Sequence, residues 1–280
     1  MVEGEAVGGG ARVGRGPLQG LRVVVTRPAH QADTLAATLE AAGAQVIRFP
    51  ALDIAEALDP RPALALVDRL ETFDIVVFTS PNAVARGTAL VRSRRSWPPA
   101  PRIAAVGSGT ARALAELGLH AHIVPDGSYG SEGLLAQPAL QHGDVEGRAV
   151  LIIRGEGGRD LIARTLSERG ARVESAIVYR RVRPALDPER LLAPARRGEV
   201  DALIVTSGEA LRNLFDMMDP AGRAWLRETP LVVVSERAAA LAREMGVRSK
   251  PIVAARASDE ALVEAVARVR SAHGSERSEP

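Results

Sequence analysis

Short apolar runs alternate with longer stretches in which apolar positions recur at helical spacing. LRVVVT, from Leu21 to Thr26, is too short and too rich in β-branched residues for a helix. Beyond it Ala32, Leu35, Ala36, Leu39 and Ala42 line one helical face, and Gly43 supplies the stop. QVIRF at Gln45 predicts the next strand. DIVVFT at Asp74, RIAAV at Arg102, HAHIV at His120, AVLIIR at Ala149 and RVESAIVYR at Arg172 continue the series. DALIVT at Asp201, PLVVVS at Pro230 and PIVAA at Pro251 complete it. Near-continuous Val and Ile runs separated by helices predict parallel sheets covered on both faces, an α/β fold.

The chain repeats itself at domain scale. Thr26 and Arg154, each closing a strand, lie 128 positions apart, and the helix-ending Gly43 and Gly170 lie 127 apart. FTSPNAV matches VTSGEAL, with Thr79 and Thr206 separated by 127. Gly107 and Ser235, and likewise Gly118 and Gly246, are 128 apart. One offset shared by so many landmarks predicts two similar α/β units.

Six predicted strands end in small or polar clusters that turn directly into helices: Thr26-Arg27-Pro28, Thr79-Ser80-Pro81-Asn82, Gly107-Ser108-Gly109-Thr110, Arg154-Gly155-Glu156-Gly157-Gly158-Arg159, Thr206-Ser207-Gly208 and Ser235-Glu236-Arg237. In open parallel sheets ligands bind beyond the carboxyl ends of strands. A helix that starts there offers unpaired N–H groups and the positive end of its dipole, which suits phosphate or carboxylate. Arg27, Arg154 and Arg159 add forked donors for a carboxylate. The same Ser and Thr residues are also the preferred N-caps of any helix. Both readings stand for each cluster taken singly, and arginine is in any case the default cation of a chain whose one lysine is Lys250.

Composition narrows the chemistry. The chain has 280 residues, of which 46% are apolar and 25% charged. With 36 Lys plus Arg against 34 Asp plus Glu, the net charge of +2 gives no bulk attraction to nucleic acid or to a membrane surface. The absence of cysteine excludes disulfides, thiolate catalysis and zinc–cysteine or iron–sulfur sites. No apolar run approaches the ~18 residues of a membrane span. The Gly-rich first residues lack the apolar core of a signal peptide. Gly107-x-Gly109 opens like a dinucleotide fingerprint, but Arg112 stands at the third glycine position. His120-x-His122 has no carboxylates beside it to complete a metal set. Residues 1–20 and 271–280 read as disordered tails. Tyr179, one of two tyrosines, closes AIVY ahead of Arg180 and Arg181. A phenol there can donate a proton to a leaving group, or can pack its ring with the hydroxyl wet.

VVVTRP, VVFTSPNAV, AAVGSGTA, PDGSYGSEGLL, LIIRGEGGRDLI, AIVYRR, LIVTSGEAL and VVVSERAAALA, in this order and spacing, resemble the uroporphyrinogen-III synthase family from about Leu21 to Val269. The resemblance implies two Rossmann-like domains joined by a two-stranded connector, with the chain crossing twice: residues 21–50 plus 183–270 in one, 53–179 in the other. It implies hydroxymethylbilane as substrate, a linear tetrapyrrole with an acetate and a propionate on each ring. The terminal hydroxyl is lost and the ring closes with inversion of the last pyrrole. It implies no cofactor and no metal. It also implies a cytoplasmic monomer in transient contact with the enzyme that makes the unstable substrate. By motif, Tyr179 matches the family's candidate general acid and Thr110 a substrate-touching threonine. Ser80, Asn82, Ser131, Arg154, Gly155, Arg159, Ser207 and Gly208 match substrate-site positions. Ser235, at a turn where family members carry threonines, and Arg27, from the strand-end pattern, complete the candidate set. The competing expectation is a two-domain protein that binds an anionic small molecule without turning it over.

Overall fold

The computed structural model describes residues 16–127, 130–158 and 160–275. Among the described residues there are ten strands, nine of them on predicted runs: β1 (Arg22–Val25), β2 (Gln45–Arg48), β3 (Asp53–Ala55), β4 (Ile75–Phe78), β5 (Arg102–Ala105), β6 (Ala149–Gly155), β7 (Arg172–Val182), β8 (Ala202–Val205), β9 (Leu231–Val233) and β10 (Ile252–Val253). They form two five-stranded sheets, ordered β10-β9-β8-β1-β2 and β3-β7-β6-β4-β5. The chain divides into two compact units. One comprises the described residues up to Asp53 and those from Arg183 onward, the other Ile54–Val182.

In the first unit β1 pairs in parallel with β2 and β8, and β9 pairs in parallel with β8 and β10. Alternation along β1 sends Val24 into one apolar cluster and Val23 and Val25 into another on the opposite face. Both faces are thus covered, which is why the strand reads as an unbroken apolar run. The helix Ala29–Ala41 buries Ala32, Leu35, Ala36 and Leu39, the stripe expected from their spacing.

The second unit repeats the plan. β6 pairs in parallel with β7 and β4, and β4 with β5. Val76 and Phe78 face one cluster, Ile75 and Val77 the other. The 127–128 offset maps β6, β7, β4 and β5 onto β1, β2, β8 and β9, and the two sheets set those strands in the same order.

Some expectations are corrected. The predicted tail over residues 1–20 falls mostly outside the described residues, but its end is packed. Leu18 is fully buried among Leu21, Leu35 and Leu39, and its N–H donates to the Ala42 carbonyl at 3.0 Å. One apolar side chain with a place in the core outweighs the glycines around it. At the other end the helix Asp259–Ser275 runs through the first residues of the expected tail, and 276–280 lie outside the described residues. HAHIV makes no strand; Ile123 forms a single bridge to Ala104. β3 had no sequence signal, being three residues at a sheet edge beside β7. Among the described residues no helix is long and apolar enough to cross a membrane.

Candidate active site

At the carboxyl ends of β4 and β6 in the second unit lies a concavity of about 220 Å³. Thr79, Ser131, Arg154, Gly155 and Tyr179 line it, over an apolar floor of Ile152 and Ile162. A slip in the ladder builds its centre. Arg154 stands opposite Ile177, but Gly155 stands opposite Tyr179, so Val178 is an extra residue on β7. This bulge breaks the period-two alternation and turns two successive side chains, Val178 and Tyr179, into the same apolar cluster. Tyr179 is 1% exposed, the largest side chain buried so completely among the described residues. The Glu156 N–H closes the slip on the Tyr179 carbonyl at 2.8 Å.

The phenol lies where any residue but glycine would stand. A Cβ on Gly155 would come within 2.5 Å of Tyr179 Cζ and 2.9 Å of its hydroxyl. Tyr179 Oη is 3.1 Å from Ser80 Oγ. Ser80 caps the helix Pro81–Arg92, its Oγ accepting the Ala83 N–H at 3.0 Å. Arg181, two residues along β7 and so on the same face, holds its guanidinium carbon 6.0 Å from the centre of the phenol ring. It also lines the concavity. The motif reading missed Arg181, and strand alternation from Tyr179 was the signal that could have found it.

Arg154 is mostly buried and already engaged. It donates to the Asp160 carboxylate at 2.5 Å and to the Gly157 carbonyl at 2.6 Å, stapling the glycine loop beyond β6. Gly157 and Gly158 take positive φ there, at 71° and 86°, which lets the loop curl over the strand end. Asp160, just ahead of the helix Leu161–Glu168, is thus the carboxylate partner of Arg154. Arg159 lies outside the described residues. Ser131 opens the short helix Ser131–Leu135. Asn82 sits in the first turn after Ser80. Thr110 lies on the helix Ser108–Glu116 and is 4% exposed, turned into the protein and absent from the lining.

The first unit presents its candidates differently. Ser207 and Ser235 cap the helices Gly208–Asp216 and Glu236–Glu244, accepting from Ala210 and Ala238. Gly208 opens the first of these, and a Cβ on it would meet Leu241 at 2.9 Å. Arg27 pairs with Asp259 at 2.6 Å, both side chains under one-fifth exposed, tying the end of β1 to the start of the last helix. A larger concavity, about 730 Å³, flanks β10 and contains none of the candidate residues. Its Arg248 is paired with Glu228, so size alone assigns it no chemistry. Among the described residues no three His, Asp or Glu side chains group to hold a metal ion.

Fold and site together define an α/β protein of two duplicated sheet units, one carrying a phenol, hydroxyls and guanidiniums at its strand ends. The chain belongs to the uroporphyrinogen-III synthase family: the family model for uroporphyrinogen-III synthase HemD matches residues 33–264. It is 38% identical over 252 residues to a uroporphyrinogen-III synthase of Salmonella typhimurium, covering 88% of this chain and 100% of that one. It is 33% identical to that of Escherichia coli, with the same coverage. The crystal structure of a mutant uroporphyrinogen III synthase from the extremely thermophilic bacterium Thermus thermophilus matches with a TM-score of 0.60 at 25% identity, covering 91% of this chain and 99% of that one.

Proposed function

We propose that this family member converts hydroxymethylbilane to uroporphyrinogen III, acting as a hydro-lyase that cyclises its substrate, with Tyr179 as the general acid. The observation that carries the assignment of Tyr179 is its hydroxyl, held 3.1 Å from Ser80 at a polar concavity walled by Arg154 and Arg181. A hydroxymethylpyrrole expels its hydroxyl by electron push from the ring nitrogen. A proton from Tyr179 converts the leaving group to water, worth about 10²-fold or more. The azafulvene that remains is attacked by the substituted carbon of the last pyrrole, and the spiro intermediate reopens to give the inverted ring. Orientation of the chain supplies most of the remaining demand, since closure at the free carbon gives the uninverted isomer. Guanidiniums and helix-start N–H groups suit the substrate's many carboxylates.

The test is to supply freshly made hydroxymethylbilane and identify the isomer of the cyclised product. Uroporphyrinogen III formed faster than spontaneous closure is the expected result. The uninverted isomer alone, at the spontaneous rate, would show a binding protein instead.

A further inference from the structure

We propose that Ser80 acts as a positioning residue: its hydroxyl donates to the Tyr179 oxygen and leaves the phenol's own proton aimed at the substrate. The inference rests on the reading of Tyr179 as general acid and adds to it the device that orients the acid.

The argument is one of hydrogen-bond accounting. A serine hydroxyl has one proton to donate and two lone pairs. The hydrogen bonds of Ser80 Oγ are to the Ala83 N–H, at 3.0 Å, and to Tyr179 Oη, at 3.1 Å. The amide can only donate, so Oγ accepts there. Either direction leaves one hydroxyl proton over; if Tyr179 donated, the phenol's proton would be spent on Ser80, whereas the acid reading needs it free at the concavity that Tyr179 lines. If Ser80 donates, both of its contacts are complete, and Tyr179 keeps an uncommitted proton at the wall of the concavity. The cap makes this arrangement rigid, because Ser80 is anchored to the first turn of the helix Pro81–Arg92. Contact between Gly155 and the ring removes the other freedom, that of the ring itself. The repeat offers an internal contrast. Ser207 makes the corresponding cap to Ala210, also at 3.0 Å, and among the described residues no tyrosine is bonded to it. Capping explains both serines, but among the described residues Ser80 alone of the two has a side-chain partner besides its cap.

Three substitutions separate capping from orientation. Ser80→Thr keeps cap and donor; Ser80→Asp keeps the cap but accepts without donating; Ser80→Ala loses both. Ser80→Ala and Ser80→Asp are expected to lower kcat for uroporphyrinogen III formation by about the factor lost in Tyr179→Phe, more than tenfold. Ser80→Thr is expected to recover about tenfold relative to Ser80→Ala. The double variant Ser80→Ala/Tyr179→Phe should be no slower than Tyr179→Phe alone, since an orienting group has nothing left to orient. Melting temperature should follow the cap instead, falling in Ser80→Ala and holding in Ser80→Asp. Losses that multiply in the double variant, or a Ser80→Asp enzyme with undiminished kcat, would overturn the proposal. A Tyr179→Phe enzyme of full activity would instead overturn the acid assignment, so the two failures are distinguishable.

Discussion

Gly155 and Tyr179 share a space that admits only one side chain: a Cβ on the glycine would stand 2.5 Å from the phenol carbon. The β6–β7 slip sets the two residues opposite each other, and a buried ring cannot yield without disturbing its neighbours. We expect Gly155→Ala to cost about 1–3 kcal/mol of stability by overpacking and to displace the hydroxyl from Ser80. Denaturant unfolding and turnover should fall together. An unchanged midpoint with full activity would show that the ring relocates freely.

Tyr179→Phe keeps the ring and removes the proton. Product formation should slow more than tenfold with little change in the unfolding midpoint, because packing is preserved. Turnover near wild type would reassign Tyr179 to packing alone.

Arg154 spends its guanidinium on Asp160 and Gly157. If a substrate carboxylate displaces Asp160, Arg154→Gln should raise KM about tenfold, the loss of one charge-assisted hydrogen bond, with kcat changed less. Asp160→Asn should then lower KM by weakening the competitor. A KM raised by Asp160→Asn as well would make the pair purely a loop staple.

Arg27 and Asp259 form an ion pair largely withdrawn from water. Arg27→Ala leaves the carboxylate without its partner and should destabilise the protein by about 1–3 kcal/mol. A fall in melting temperature with unchanged KM would assign Arg27 to holding β1 against the last helix. A raised KM at unchanged stability would assign it to substrate binding.

His122 caps an edge. Its Nδ1 accepts the Ile103 N–H at 3.0 Å, at the margin of β5. Partial desolvation of an otherwise exposed ring, then the neighbouring charges of His120 and Arg102, hold its pKa below the ordinary histidine value. The unfolded chain therefore binds the proton more readily, and stability rises with pH. The contribution is complete above about pH 6.5 and is lost as pH falls towards the lowered value in the folded protein. Melting temperature should drop between pH 7.5 and 5, and His122→Gln should remove that part of the slope. An identical slope in the variant would place the acid sensitivity elsewhere.

Much of the architecture was legible along the chain because it rests on local periodicity. Val23 to Val25 and Ile75 to Phe78 must be covered on both sides wherever they fold, and that requirement alone implies parallel sheets between helices. The 127–128 offset announced two similar units, since repeated local patterns fold to repeated structures. Serine, threonine, glycine and arginine at the strand ends marked where binding chemistry could gather, and family motifs singled out Tyr179. Pairing register was not legible. The extra Val178, the phenol seated over Gly155 and its bond to Ser80, 99 residues away, arise from strands and helices meeting across the unit. The sequence likewise did not separate Arg154, clasping its own loop, from Arg27, clasping a distant helix. Nor did it show Leu18 as core within a glycine-rich stretch. Residue type and spacing determine which groups are available. Long-range packing decides which of them meet, because a contact distant in sequence leaves no periodic trace along the chain.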